Sequence, residues 1–373
     1  MIDRRLLKNF DWGILLIALI LSFIGVMTIY SSTRPVLDTE QQTYYIRQLY
    51  WMCFGLIGFF IIVSIDYRWF IKFAYLFFII GIILLIIVLI AGRKGMGAQR
   101  WIPLGFLSFQ PSEVFKLFFI MSISRYLSGI EQNITLDLRE LLKMTCIFYF
   151  VPALLILKQP HLGTAIILFF VFLSMLVVTG TRKKIIVVAV IIGLISLPFI
   201  GNILWEGLEG YQKQRLIAFV HPYVDQHGIG YHIKQSKVTI GSGGFLGKGY
   251  LHGTQGPLRF LPERHTDFIF SVFAEEWGFM GSLFLFSLFL YIVVKGFDTA
   301  IHSRDPAGSY LALGVTFLFS FYFFINVGMT LGIVPVVGVP LPFVSYGGTA
   351  LFSNFLFLGI LVNIRMRRFP LFY

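Results

Sequence analysis

Charge is what this sequence has least of. Only 13% of its 373 residues are Asp, Glu, Lys or Arg, against roughly 25% in a soluble globular domain. That scarcity excludes a water-soluble fold of this length, because surface area falls too slowly with chain size to hide so much apolar side chain. Cysteine is nearly absent too. Cys53 and Cys146 both stand within apolar runs, which excludes a disulfide framework or a cysteine-built metal site and leaves small core or lipid-facing residues. No small-residue cleavage site follows the first apolar run, so that run is expected to remain in the protein. A continuous basic stripe is also missing. The net charge of +12 falls almost entirely between the apolar runs, as topology determinants and membrane-surface contacts do, so no nucleic-acid partner is expected. Neither an internal repeat nor an inverted-repeat signature is visible, which counts against a carrier.

What is abundant is apolar: 57% hydrophobic residues, with 42 phenylalanines. Runs of about 20 residues recur, each long enough to cross a hydrocarbon core of about 30 Å. The expected fold is all-α and polytopic, with ten transmembrane helices forming a single integral membrane domain over residues 1–373. The spans are expected near 11–31, 44–64, 70–91, 111–129, 139–157, 161–179, 184–200, 267–295, 308–334 and 341–364. Lys158-Gln159-Pro160-His161 makes a tight hairpin between the fifth and sixth. Ten spans place both termini on one side. Short segments on that side carry 16 Lys and Arg, and those on the other carry six: Arg34, Arg47, Arg93, Lys94, Arg100 and Lys158. The bias puts both termini in the cytoplasm. The polar stretch 202–266, between spans seven and eight, then becomes a large extracytoplasmic loop.

Ionisable residues at membrane depth are functional candidates, because lipid charges several kcal/mol for them. Three segments qualify, all on the outer side. In the first, Arg100 precedes Gln110-Pro111-Ser112-Glu113 and Lys116. Pro and Ser mark a helix start, and Glu113 and Lys116 then share a face three residues apart. They are either a self-neutralising pair or a cation held ready for phosphate and positioned by Glu113.

The second segment is the loop itself, with Arg215 near its start and the glycine-dense stretch Ile240–Gly249 containing Lys248. A P-loop needs glycine where Ser242 stands and Ser or Thr where Gly249 stands, so that pattern fails. The glycines either let backbone N–H groups approach a phosphate or sugar or simply make tight turns. The third segment is Leu261-Pro262-Glu263-Arg264-His265-Thr266-Asp267, running directly into an apolar span. Asp267 is either a helix N-cap or a general base at a water–lipid boundary, where partial desolvation strengthens a carboxylate as a base. Glu263, His265 and Asp267 match no metal-ligand pattern. Glu275 and Glu276 are expected about 12 Å deeper along the same helix. Near the C-terminal end, Val339–Gly348 holds two prolines, Ser345 and two glycines. Such broken backbone is tolerated at membrane depth only inside protein or around a wet cavity.

With these motifs in order, the chain resembles the SEDS family (shape, elongation, division and sporulation) of bacterial peptidoglycan glycosyltransferases. The resemblance is carried by QRWIPLGFLSFQPSE at 99–113, KQPHLGTA at 158–165, IGSGGFLGKG at 240–249, LPERHTDFIFSVFAEEWG at 261–278 and LPFVSYGG at 341–348. It covers essentially the whole chain and lies nearer the elongation (RodA) type than the division (FtsW) type. The resemblance implies polymerisation of lipid II in the bacterial cytoplasmic membrane, with loss of undecaprenyl pyrophosphate. It places Asp267 at the family's catalytic aspartate, and Glu113 and Lys116 at positions needed for activity. Lys116, and less directly Arg100, Arg215 and Lys248, would offset charge on the departing pyrophosphate; Ser345 joins them as a substrate-binding candidate. A class B penicillin-binding protein, a monofunctional transpeptidase, is the implied partner, along with other elongation-complex proteins. A divalent cation, magnesium or manganese, is implied without a visible site. His161 stands where relatives usually carry aspartate, which leaves that acid's role in doubt here. A lipid II flippase, or a scaffold recruiting a transpeptidase, would use the same outward-facing features.

Overall fold

The computed structural model describes residues 9–34, 39–95, 98–104, 107–130, 138–159, 161–179, 213, 229–254 and 263–369. Among them the chain is mostly helical. Seven helices are long and apolar enough to cross a membrane, as a multi-pass membrane protein requires. Helix α1 (Trp12–Thr33) begins where the Asp11 side chain accepts the Ile14 N–H, satisfying one of the orphan donors of a helix start. It is followed by α2 (Tyr44–Ser64) and α3 (Ala74–Ala91). Helix α3 is apolar all round, so its sequence does not say which side is buried. Ala74, Phe78, Leu85 and Val88 face the protein. Ile79, Ile83, Ile86 and Ile90 form the exposed opposite stripe, as lipid contact requires.

Strands β1 (Arg93–Gly95), β2 (Ala98–Leu104) and β3 (Leu107–Phe109) form a small antiparallel sheet in the order β1-β2-β3. This sheet departs from the all-α expectation. It is short enough to pair its own backbone between two helices. Helix α4 (Pro111–Ser128) follows. Helix α5 runs on through Leu138–Met144, a wider π turn at Thr145–Phe150, and Val151–Lys158. The π turn sits just ahead of Pro152, whose ring and missing N–H disturb the ladder around residue 148. Helices α6 (Leu162–Val178) and α7 (Ile229–Ser242) complete the first part. The expected seventh span, 184–200, lies outside the described residues, as do most of 202–228 and all of 255–262.

Helix α8 (Ile269–Ile301) is not the straight span the sequence suggests. At Gly278 the backbone leaves the helix, with φ 65° and ψ −160°. The loop at 243–249 fills the break. Lys248 and Gly249 donate their N–H groups to the carbonyls of Glu275 and Glu276, and Phe279 and Met280 donate to those of Gly244 and Phe245. A Cβ on Gly278 would lie 2.3 Å from the Gly247 nitrogen, so only glycine fits both the backbone angle and the contact. Glu275 and Glu276 lie on the helical segment that follows Asp267 and stand just before its end at the break.

Helix α9 (Pro306–Thr330) and helix α10 (Gly348–Met366) form the centre of the bundle, each with most of its residues buried. The expected last span began at 341, but residues 341–347 are irregular and the helix starts at Gly348. Arg365 at the end of α10 reaches Asp11 before α1 at 2.8 Å and Asp298 near the end of α8 at 2.5 Å. The start of α1 and the end of α10 thus share one face, and the site described next lies toward the other.

Candidate active site

Pro111 opens α4 at a position where its missing N–H costs nothing, which places Glu113 in the first turn and Lys116 one turn on. Both are buried, with Lys116 only 1% exposed. The Lys116 Nζ lies 2.5 Å from Glu113 Oε1 and also donates to the Tyr322 hydroxyl on α9. Tyr322 Oη in turn donates to Glu113 Oε2 at 3.0 Å, and Nζ stands 4.8 Å from its ring centroid. The three groups close a triangle in which every charge has a partner. Burial without such partners would cost several kcal/mol.

One turn further along α9, on the same face, stands Asn326. Its amide N–H groups donate to the backbone carbonyls of Asp267, at 3.1 Å, and Val339, at 2.7 Å. Asp267 therefore lies about 6 Å, the rise of four helical residues, along the helix that carries Tyr322. The residue flanking the start of α8 is Phe268, so Asp267 stands one position ahead of the helix cap.

The loop leading to Asp267 is braced by the 341–347 segment. Ser345 Oγ accepts the Leu341 N–H at 2.8 Å and donates to the Thr266 carbonyl at 2.6 Å. The Tyr346 N–H donates to the His265 carbonyl. Gln48 on α2 donates to the Ser345 carbonyl at 3.1 Å. Tyr346 stacks on Tyr44 at 4.4 Å, with the His265 ring 5.0 Å from that of Tyr44. Burial disfavours the charged imidazole and holds His265 below its ordinary value; Glu263 opposes the shift and Arg264 adds to it.

Arg100 on β2 donates from Nε to the Gln159 carbonyl at 3.3 Å. Beside it, His161 Nδ1 lies 3.2 Å from Ser112 Oγ and 3.0 Å from Thr164 Oγ1. A hydrogen-bonded imidazole thus stands where the resemblance leads one to expect an acid. Gly163 brings this turn against the 337–339 segment, since a Cβ there would sit 2.6 Å from the Val337 carbonyl oxygen. Lys248 is placed elsewhere. Its ammonium is 2.7 Å from Glu275 Oε1, an atom that also accepts the Thr254 N–H at 2.8 Å. Arg215 lies outside the described residues.

The structure therefore brings together Glu113, Lys116, Asp267 and Ser345, puts Arg100 at the edge of the same packing, and holds Lys248 in a separate cluster at the Gly278 break. Sequence reasoning missed Tyr322, Asn326 and Gln48. The only signal was a polar group inside an apolar run, and the phenolic and amide side chains there gave no motif. Among the described residues no three His, Cys, Asp or Glu side chains converge as a metal site.

Comparison with known proteins places this arrangement. The family profile FtsW/RodA/SpoVE, described as "Cell cycle protein", matches residues 11–369. The chain is 38% identical over 361 residues to the peptidoglycan glycosyltransferase MrdB of Escherichia coli K12, covering 96% of this chain and 94% of that protein. It is 32% identical to the peptidoglycan glycosyltransferase RodA of Treponema pallidum, covering 98% and 99%. Among solved structures, a chain from work titled "Structural coordination of polymerization and crosslinking by a peptidoglycan synthase complex" superposes with TM-score 0.81 at 26% identity, over 96% of this chain and 98% of that one. The rod shape-determining protein RodA of Thermus thermophilus superposes with TM-score 0.71 at 26% identity, over 97% and 98%.

Proposed function

We propose, from the premise that this chain belongs to the FtsW/RodA/SpoVE family, how its residues divide the work of a peptidoglycan glycosyltransferase. It is an enzyme of that activity and of the rod-shape type, as its relatives' names state. The reaction polymerises lipid II. The 4-hydroxyl of the acceptor sugar attacks the anomeric carbon of the donor glycan, the bond from that carbon to the phosphate oxygen breaks, and undecaprenyl pyrophosphate leaves.

Asp267 is the general base that takes the hydroxyl proton as attack proceeds. Lys116 supplies positive charge for the departing pyrophosphate, where a fixed cation in a low-dielectric site is most effective, and Glu113 with Tyr322 holds it in place. Arg100 adds a second cation at the rim. Ser345 acts mainly by holding the loop that presents Asp267, since its hydroxyl is engaged on both sides. Lys248, held by Glu275, anchors the 243–249 loop in the Gly278 break. The observation that carries this reading is that a single helix, α9, ties Asp267 and the Lys116 triangle together one turn apart.

Ten spans, cytoplasmic termini and an extracytoplasmic 202–266 loop complete the arrangement, so that the site opens to the outer face, where lipid II is polymerised. The described residues do not fit a protein-built divalent cation cage: Glu113 is neutralised by Lys116, which among the described residues leaves Asp267 as the one acid at the centre. Magnesium ordinarily keeps its waters and binds through phosphates, so any such ion is assigned to the pyrophosphate, and no step runs through it. The partner is a class B penicillin-binding protein, in keeping with the polymerisation and crosslinking named for the structural neighbour. Reconstitution of the full chain with that partner in vesicles holding dye-labelled lipid II tests the activity. Glycan polymer is expected. Labelled lipid that crosses the bilayer with no polymer formed would instead favour a flippase.

A further inference from the structure

Asn326 is an amide in an otherwise apolar and aromatic stretch of α9, Phe319–Ile325 being mostly phenylalanine, and it is fully buried. A polar side chain in such a place calls for a physical reason. Both of its N–H bonds go to main-chain carbonyls of irregular segments, those of Asp267 and Val339, which lie 59 and 13 residues away in sequence. Irregular backbone at membrane depth survives only when its polar groups are satisfied by protein. Its own Oδ1, by contrast, is buried with no hydrogen-bond partner among the described residues. An unpartnered buried acceptor is costly, so what keeps the amide here is the work of its two donors.

That work has a direction. Asn326 and Tyr322 are four residues apart on one helix, and Tyr322 bonds Glu113 and Lys116. We infer that Asn326 is a positioning residue: by clamping the Asp267 and Val339 carbonyls to α9, it sets the separation between the Asp267 carboxylate and the Lys116 ammonium. It touches no reacting atom. The assignment rests on Asp267 being the base, and the test is arranged to separate the two.

The test compares Asn326→Leu, which keeps the volume and removes both donors, with Asn326→Ser, which keeps one O–H donor. Steady-state polymerisation of lipid II is measured with the full chain and its transpeptidase partner, per folded molecule, alongside Asp267→Asn. Displacing a catalytic group by about 1 Å costs on the order of 100-fold. Asn326→Leu should therefore lose about 100-fold in kcat with KM for lipid II changed less than about threefold. Asn326→Ser should recover about tenfold of that loss. A merely structural amide would instead lower the folded fraction and leave kcat per folded molecule intact, and that result overturns the inference. Should Asn326→Leu fail to fold, Asn326→Ser at wild-type kcat overturns it equally. If Asp267→Asn is inactive while Asn326→Leu is fully active, the positioning role alone is wrong. If Asp267→Asn remains active, both assignments fall.

Discussion

Replacing Glu113 by Gln isolates what the buried triangle does. The substitution keeps shape but leaves the Lys116 ammonium, 1% exposed, without its counter-charge. Breaking one side of a buried pair typically costs about 3–5 kcal/mol, a large share of the roughly 5–15 kcal/mol that holds a domain folded. The triangle is closed, so removing every polar member together leaves nothing unpaired. A triple variant, Glu113→Leu, Lys116→Met and Tyr322→Phe, should thus return to within about 2 kcal/mol of wild type, because apolar groups of similar volume often replace a buried pair without loss. Stability is read from thermal unfolding of the purified protein in detergent, and activity from lipid II polymerisation. The single variant should be destabilised. The triple should be stable and at least about 100-fold slower, since the charge opposite the pyrophosphate is gone. A triple variant that is both stable and within tenfold of wild-type activity would refute the electrostatic role and leave the pair a structural device.

Other consequences follow from the same geometry. Gly278→Ala should destabilise the protein by about 1–3 kcal/mol from backbone strain alone, with more from the contact to the Gly247 nitrogen; faster proteolysis within residues 243–254 would report it, and unchanged protection would contradict it. Ser345→Ala leaves the Leu341 N–H and the Thr266 carbonyl without their partner. It should cost about 1–3 kcal/mol and slow polymerisation, whereas wild-type values for both would show that the brace is dispensable. His265 is held below its ordinary value by burial, so the unfolded chain binds its proton first. Stability from this residue is complete above the unfolded value and declines as pH falls through that value toward the folded one. His265→Asn should flatten that acid-side decline in melting temperature, and an unchanged profile would assign it to other groups.

The helices were legible in the sequence because lipid demands long apolar runs, and the observed ends of α1, α2 and α4 to α6 fall within a few residues of expectation. The break at Gly278 was hidden. Its cause is a glycine backbone angle and a loop that meets it from about 30 residues upstream, neither of which disturbs hydropathy. The sheet at 93–109 was missed because its strands are short, two of them only three residues long, and the longest, β2, shows no regular apolar–polar alternation. Asp267, Lys116 and Glu113 stood out as charges at the edge of lipid, and their order with neighbouring motifs gave the family. Tyr322 and Asn326 did not stand out, because an aromatic or amide group in a helix earns its meaning only from partners 206 and 59 residues away. His161 was noticed as a departure, and the structure answers part of the question: the imidazole is held by Ser112 and Thr164, so the place is filled by a hydrogen-bonding group with no fixed negative charge.

The central claim is that Asp267 accepts the proton as the glycosidic bond forms. The most direct measurement is single-turnover transfer by the Asp267→Asn protein with its partner, on labelled lipid II, with lipid II binding measured on the same sample. Loss of a general base costs about 100- to 10,000-fold, so transfer should fall by at least 100-fold while binding persists. Transfer within tenfold of wild type would contradict the claim.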